Sequence, residues 1–178
     1  MQNRIVLLVG GYGSGKTYIG ALKSLYMSYL NNPVPGMYIS PSHQLATKTI
    51  IITLKELCNR AGIDYTYNQQ RSEFIFHNWN GKLWLGSGDK PDSLRGPNIG
   101  WAVIDEPFIQ KREVFEQMIA RVRHPDAKKS QIYLTGTPEQ LNWGFNLAND
   151  TNLEIGIIQA STLDNPHLPD DYKQSLLQ

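Results

Sequence analysis

A glycine-rich segment near the start of the chain carries the residue types that bind phosphate. The pattern G-x-x-x-x-G-K-[ST] is matched by Gly10-Gly11-Tyr12-Gly13-Ser14-Gly15-Lys16-Thr17. Glycines let consecutive backbone amides turn inward around a phosphate, and the N-terminus of the following helix adds a positive field. In this pattern the lysine reaches the β- and γ-phosphates and the last hydroxyl binds Mg²⁺. The segment predicts a nucleotide site over residues 10–17, with Lys16 catalytic and Thr17 a metal ligand; a glycine-rich turn that matches by chance is the alternative.

Two adjacent carboxylates end a later apolar run, Trp101-Ala102-Val103-Ile104-Asp105-Glu106. A buried strand with an acidic residue at its carboxyl end is the Walker B arrangement, in which Asp105 helps to hold Mg²⁺. Glu106 is then placed to orient a water, or to accept its proton, for attack on a γ-phosphate. A strand ending in two solvated acids is the alternative. The phosphate loop upstream favours the hydrolytic interpretation.

A third polar segment, Thr135-Gly136-Thr137, follows the strand-like run Ile132–Thr135. Its hydroxyls are predicted to sense the γ-phosphate and to pass the change into the next loop. The alternative is a Thr-Gly turn capped by Pro138.

Arg95 precedes the acidic strand, in the segment Ser93-Leu94-Arg95-Gly96. An arginine beside the γ-phosphate neutralises transition-state charge and raises turnover by roughly 10³–10⁵-fold. A surface arginine in a salt bridge is the equally open alternative.

Strands and helices alternate along the chain and must position these residues. The apolar runs predict strands at 5–9, 36–40, 65–67, 74–76, 83–85, 101–105, 132–135 and 154–160, and helices at 16–30, 42–61, 110–122, 142–149 and from about 170. This alternation predicts a mainly parallel central sheet flanked by helices, in an α/β fold. Asn80-Gly81 predicts a hairpin within a small β insertion around 64–87. We expect a single domain over residues 1–178.

Composition limits the classes of function. The chain is 40% hydrophobic and 19% charged with a net charge of +1, so a nucleic-acid contact must be a local patch. No apolar run approaches the ~20 residues of a membrane span, and no export signal is visible. The single cysteine, Cys58, fits a reducing compartment and is predicted to be a small core residue. The richest basic group, for which a solvated surface is the alternative, is Lys111, Arg112, Arg121, Arg123, Lys128 and Lys129.

Taken in order, Gly10–Thr17, Ser93–Gly96, Trp101–Glu106 and Thr135–Thr137 resemble the ATPase domain of the large terminase subunit, the DNA-packaging motor of tailed bacteriophages. Ser161–Pro169 also resembles the segment that closes this domain in that family. The resemblance implies an additional-strand, catalytic-glutamate P-loop NTPase fold of RecA-like type. It implies ATP and Mg²⁺ as ligands, and hydrolysis that drives double-stranded DNA into a procapsid.

The resemblance also implies roles for single residues. It assigns phosphate and metal binding to Lys16 and Thr17, Mg²⁺ to Asp105, catalysis to Glu106, coupling to Thr135, Gly136 and Thr137, and an arginine finger acting on a neighbouring subunit to Arg95. Some family members place an arginine inside the phosphate loop instead. Tyr12 stands at that position here, which favours Arg95.

The implied partners are double-stranded DNA, the portal protein, the small terminase subunit and other copies of the chain. These copies are expected to form a ring, with five subunits in the working motor. For the isolated domain, a monomer is the alternative. The implied location is the host cytoplasm. The family's nuclease domain is not seen in residues 1–178, so nuclease activity is not expected and 161–178 is predicted to lead toward an absent lid or nuclease region. Only Gln2, Asn3 and Arg4 stand where family members contact adenine.

Two other functions stay open. A helicase-like ATPase shares the phosphate loop and the Asp-Glu pair, but it needs a second RecA-like domain. A non-hydrolytic nucleotide switch needs no catalytic carboxylate, and Glu106 argues against it.

Overall fold

One eight-stranded sheet runs through the chain in the computed structural model, which describes residues 3–96, 98–137, 143–148 and 154–176. The strands are β1 (Ile5–Gly10), β2 (Gly36–Ser40), β3 (Tyr65–Asn68), β4 (Glu73–Phe76), β5 (Gly81–Ser87), β6 (Trp101–Asp105), β7 (Gln131–Gly136) and β8 (Ile155–Ala160). The helices are α1 (Lys16–Asn31), α2 (His43–Lys48), α3 (Ile50–Ala61), α4 (Arg112–Arg121), α5 (Trp143–Ala148) and α6 (Asp170–Ser175). The predicted α/β fold with a mainly parallel sheet is confirmed.

The strand order, β3-β4-β5-β2-β6-β7-β1-β8, brings distant segments together. Strands β6, β7 and β1 are parallel neighbours, with Asp105 opposite Thr135 and Val9 opposite Gly136. Because parallel strands share one carboxyl edge, the segments that follow β1, β6 and β7 leave the sheet side by side. These are the phosphate loop, the acidic pair and the Thr-Gly-Thr segment that the sequence analysis singled out.

Both faces of the sheet are covered, and the alternation along β1 shows how. Val6 and Leu8 pack in a core cluster with residues of α1 and α3, whereas Ile5 and Leu7 pack in a second cluster with residues of α4. Successive strand side chains point to opposite faces, so a strand covered on both sides is apolar throughout. Cys58 is fully buried in the first cluster, as predicted.

The three strands β3, β4 and β5 form an antiparallel meander, and a four-residue loop at 77–80 joins the last two. Asn80 adopts a left-handed conformation at φ 54°, which asparagine tolerates better than most residues. Strand β5 also pairs in parallel with β2. The predicted hairpin therefore extends the main sheet at its edge.

The single helix predicted over 42–61 is wrong, because the segment is divided at Thr49. This residue lies between α2 and α3 at φ −124° and ψ −87°, outside helical values. Its hydroxyl donates to the Leu45 carbonyl at 2.9 Å. Threonine hydroxyls can hydrogen-bond to nearby backbone groups and so compete with the regular hydrogen bonds of a helix. The spacing of apolar residues does not predict such a bond. No helix among the described ranges is long and apolar enough to cross a membrane.

Candidate functional site

The glycine-rich loop joins the carboxyl end of β1 to the N-terminus of α1. Gly13 and Gly15 have φ values of 73° and 88°, in the left-handed region where glycine carries no Cβ penalty. Gly15 directly precedes the first helical residue, Lys16. The Lys16 side chain is only 7% exposed and its Nζ donates to the carbonyls of Gly10 and Gly11 at 3.0 and 2.9 Å. The loop thus holds a buried cation at its centre.

Asp105 ends β6 beside the loop and is 3% exposed. Burial raises the pKa of its carboxyl group, because a low-dielectric surrounding disfavours the charged form. The Thr135 hydroxyl donates to Asp105 Oδ1 at 2.9 Å and acts in the opposite direction on this pKa. Tyr38, fully buried on β2, has a pKa well above its ordinary value because of burial and the nearby Asp105. Asp105 is therefore held by Thr135 on β7, whereas the buried Tyr38 hydroxyl on β2 makes no hydrogen bond within the described part of the chain.

Glu106 adopts a left-handed backbone conformation, with φ 46° and ψ 55°. Its carboxylate accepts a hydrogen bond from the backbone amide of Thr137 at 3.0 Å, and the Thr137 hydroxyl lies 3.4 Å from Oε1. Lys16 Nζ lies 3.6 Å from the same Oε1. A non-glycine residue in this region is strained and is kept there by its surroundings. The predicted site residues Lys16, Glu106 and Thr137 are thus brought into contact.

The segment 135–137 contacts the acidic pair directly: Thr135 bonds Asp105 and Thr137 bonds Glu106. Gly136 between them allows close packing, since a Cβ there would lie 2.8 Å from the Phe108 ring. Sequence reasoning expected these hydroxyls to face a γ-phosphate, and it did not anticipate that they hold the carboxylates. Pro138, predicted to cap the turn, lies outside the described residues.

A cavity of about 340 Å³ opens beside Lys16. Its lining comprises Tyr12, Gly13, Gly15, Lys16, Thr17, Tyr18 and Glu106. Among the described residues no group of three or more His, Cys, Asp or Glu side chains could hold a metal ion. Mg²⁺ commonly takes one or two protein ligands and completes its shell with waters and substrate phosphates. The Thr17 hydroxyl lines this cavity and is an oxygen ligand of the kind that Mg²⁺ takes, whereas the buried Asp105 carboxylate, the other predicted ligand, is not among the described residues that line it.

Arg95 lies on the surface, where a short 3-10 helix (Pro91–Leu94) ends. It is 62% exposed and its Nη2 lies 3.0 Å from Asp92 Oδ1. It is not among the described residues that line the cavity beside Lys16. The surface ion pair considered in the sequence is therefore present, and within one chain this guanidinium is not part of the site.

Two arginines of the basic group support the Arg95 loop. Arg121 Nη1 donates to the Gly96 carbonyl at 3.1 Å, and Arg123 Nε donates to Asn98 Oδ1 at 2.9 Å. These two side chains have structural contacts, which the charge pattern alone did not indicate.

The segment after β8 docks on the phosphate loop, a contact that sequence reasoning missed. Thr162 Oγ1 donates to the Tyr12 carbonyl at 2.8 Å, and Asn165 Nδ2 donates to the Gly13 carbonyl at 2.6 Å. Ser161 and Asp164 form a capping box that begins the turn at 162–164. The S-x-x-D spacing of that box was the available signal for a structured segment.

Comparison with known proteins identifies the family of this chain. The family model described as "Phage terminase large subunit" matches residues 2–178, nearly the whole chain. The chain belongs to the phage terminase large subunit family. The PBSX phage terminase large subunit of Bacillus subtilis (strain 168) is 29% identical over 141 residues, which cover 78% of this chain and 32% of that protein.

Solved large terminases share the fold. A large terminase from a thermophilic bacteriophage matches with a TM-score of 0.82 and 14% identity, over 98% of this chain and 44% of that one. The large terminase ATPase domain of Thermus phage P74-26 matches with a TM-score of 0.68 and 14% identity, over 99% and 84% of the two chains. The present chain therefore spans about a third of the PBSX relative and under half of the thermophilic bacteriophage terminase.

Proposed function

We propose that this terminase chain hydrolyses ATP and that the hydrolysis drives double-stranded DNA into a viral procapsid. The observation that carries the proposal is the contact between loop and acidic strand, in which Lys16 Nζ lies 3.6 Å from Glu106 Oε1. A phosphate cradle alone needs no such carboxylate. The large terminase of the thermophilic bacteriophage has been solved in complex with ADP and with ATP-γ-S, which supports a nucleotide as the ligand.

In this proposal the loop 10–17 holds the phosphates and Lys16 exchanges its carbonyl partners for phosphate oxygens. Glu106, in contact with Thr137 but 27% exposed, accepts a proton from the attacking water or orients that water. Thr17 and Asp105 would hold Mg²⁺, which would neutralise negative charge on the phosphates. Burial of Asp105 favours a cation as its partner, because a positive charge offsets the desolvation of the carboxylate.

Thr135, Gly136 and Thr137 couple the site to the rest of the fold. Thr137 bonds the Glu106 carboxylate that faces the cavity, and Thr135 bonds the Asp105 carboxylate that would bind the metal. A shift of either carboxylate on hydrolysis changes a hydrogen bond to β7 or to the residue after it. The proposed coupling therefore runs through the acids and does not require direct contact between these threonines and phosphate.

The test of hydrolysis is phosphate release by the wild type, E106Q and K16A, measured together with binding of a fluorescent ATP analogue. E106Q is expected to bind nucleotide and to lose turnover by at least about 10²-fold, the usual contribution of a general base. K16A is expected to lose binding. A wild type that binds nucleotide but releases no phosphate, alone or with its partners, favours the nucleotide-switch alternative and contradicts hydrolysis.

We further propose that Arg95 acts on the site of a neighbouring copy in a ring. Arg95 is exposed on a loop held by Arg121 and Arg123, and it is not in the cavity beside its own Lys16. A side chain so placed reaches a γ-phosphate most directly across a subunit interface. Family membership supports the ring, the portal protein and the small terminase subunit as partners.

The Arg95 proposal predicts that R95A binds ATP but does not turn it over in the assembled motor. Mixing R95A with E106Q should restore part of the activity, because some interfaces then combine an intact finger with an intact carboxylate. R112A is the matched control, since Arg112 is 67% exposed and forms a similar ion pair with Glu116 at 3.0 Å. Equal losses in R95A and R112A, or no recovery in assembled mixtures, would contradict a role in trans.

A further inference from the structure

The Tyr38 side chain lies in the core between β2 and α1. It is fully buried, and its hydroxyl forms no hydrogen bond within the described part of the chain. Buried polar groups nearly always have a hydrogen-bond partner, because an unpaired one loses its contact with water and gains nothing in return. The surroundings of this hydroxyl indicate what its partner is.

Tyr38 shares a face of the sheet with Asp105. In the parallel pairing of β2 with β6, Tyr38 is opposite Val103. Since side chains alternate along a strand, Asp105 points to the same face as Val103, ~7 Å further along β6. Aromatic side chains can span such diagonal distances. Burial and then the negative charge of Asp105 raise the pKa of Tyr38, as expected for a hydroxyl near this carboxylate.

The helix that carries Thr17 lies on the other side of the Tyr38 hydroxyl. A Cβ built on Gly20 of α1 would be 3.5 Å from the Tyr38 hydroxyl oxygen and 3.4 Å from its ring. Gly20 follows Thr17 by three residues, so the two lie on one face of α1. The hydroxyl therefore adjoins both elements that carry the predicted Mg²⁺ ligands, Thr17 on α1 and Asp105 on β6.

We propose that Tyr38 is a positioning residue of the Mg²⁺ site, and that its hydroxyl donates to the Asp105 carboxylate when this carboxylate binds the metal. The inference rests on the proposed function, which assigns Mg²⁺ to Thr17 and Asp105. Carboxylates that bind metals are themselves held by hydrogen bonds from surrounding residues. Thr135 supplies one such bond at Oδ1, and Tyr38 supplies a second. Metal binding requires the ionised carboxylate, and an ionised oxygen is the stronger acceptor.

The test measures binding of a fluorescent ADP to the full chain, once in excess EDTA and once in excess Mg²⁺. Y38F removes the hydroxyl and keeps the ring. We expect it to equal wild type in EDTA and to bind about tenfold more weakly than wild type in Mg²⁺, because residues that support a metal ligand contribute about that factor or more. D105N, which alters the predicted ligand itself, should also lose the gain in affinity that Mg²⁺ gives.

Y67F is the matched control, since the Tyr67 hydroxyl is also buried without a hydrogen-bond partner among the described residues. Tyr67 lies on β3, an edge strand that three strands separate from β6. Y67F should change ADP binding in neither condition. Without nucleotide, Y38F and Y67F should both melt at or above the wild-type temperature, because an unpaired buried hydroxyl does not stabilise the fold.

The outcomes separate this inference from the function on which it rests. A wild type that binds no ADP in either condition overturns the proposed function and this inference with it. A wild type whose binding is strengthened by Mg²⁺, with Y38F equal to it in Mg²⁺, overturns the inference alone. So does a Y38F variant that loses the same factor in EDTA and in Mg²⁺, because Tyr38 then supports the packing of α1 and not the metal. If D105N keeps the full gain from Mg²⁺, Asp105 is not a metal ligand and the inference is wrong.

Discussion

The strained backbone at Glu106 leads to a prediction about stability that is independent of turnover. Glu106 has φ 46°, in the left-handed region. Replacing it by alanine or by glycine removes the same carboxylate and the same contacts with Lys16 and Thr137. The difference between the two variants therefore isolates the backbone conformation, and we expect E106G to be the more stable.

The magnitude follows from two opposing quantities. A left-handed conformation costs an L-residue about 1–2 kcal/mol, and glycine is spared this cost. Relative to alanine, glycine lowers the free energy of unfolding by about 0.4–1 kcal/mol, because it gives the unfolded chain more conformational freedom. E106G should therefore exceed E106A by about 1 kcal/mol in the free energy of unfolding. In a protein of this size that difference raises Tm by about 2–4 °C.

Glu56 provides a matched comparison, because it is an exposed glutamate in the middle of α3. In a helix interior glycine is about 1 kcal/mol less favourable than alanine. E56G should therefore be less stable than E56A, the opposite order to that at Glu106. Urea unfolding of the four variants, followed by circular dichroism, measures both differences.

An E106G variant equal to or less stable than E106A, while the Glu56 pair behaves as expected, would refute the strain at this position. Such a result would mean that the residue at 106 relaxes to an ordinary conformation once the carboxylate is gone. The strain would then be a consequence of the contacts with Lys16 and Thr137, and the fold itself would not impose it.

Three further predictions concern buried groups. T135V removes the donor to the Asp105 carboxylate, so we expect a loss of about 1.5–3 kcal/mol at pH 7. Burial holds the Asp105 pKa above its unfolded value, so stability falls as pH rises between the two, and the loss in T135V should shrink in acid. Burial raises the pKa of the Cys58 thiol to about 11, so labelling at pH 8 should be slow in the folded protein and fast in urea. Burial and then Lys129 lower the pKa of Lys23 from 10.5 to about 8, so its contribution to stability should grow from pH 8 to 10.5 and disappear in K23M.

Each of these has a measurement that can contradict it. Urea titrations at several pH values test Asp105; a T135V loss that stays constant into acid would exclude a carboxylate as the partner of Thr135. Thiol titration tests Cys58, where folded and unfolded rates should differ strongly. For Lys23, the decisive comparison is the slope of stability against pH in wild type and K23M, and equal slopes would contradict the lowered pKa.

The phosphate loop and the acidic pair could be located from sequence because their chemistry is local. A strand, a glycine-rich turn and a helix are contiguous from Ile5 to Asn31, and each is recognisable from its own residues. The same holds for the apolar strand that ends at Asp105. The hairpin at Asn80 was likewise predicted from a residue type that tolerates a left-handed backbone.

The contacts between these segments could not be predicted from sequence. Thr135 meets Asp105, and Thr137 meets Glu106, because β7 lies between β6 and β1, and nothing in the apolar pattern specifies that order. The break at Thr49 depends on one side-chain hydrogen bond within an otherwise helical pattern. Thr162 and Asn165 dock on phosphate-loop residues that precede them by 150 and 152 positions, and local sequence patterns do not predict contacts over such separations.

The sequence by itself determined which side chains carry the chemistry, since Lys16, Asp105 and Glu106 are set by residue type and by the strand or loop beside each. Tertiary structure decided which of them touch, and what surrounds them. Asp105 is buried and Glu106 is strained only because neighbouring strands and the turn after β7 enclose them. Burial and strain arise from packing between distant segments, and local propensity contains no information about that packing. The same packing places the closing segment against the phosphate loop, a contact that no spacing in the sequence predicts.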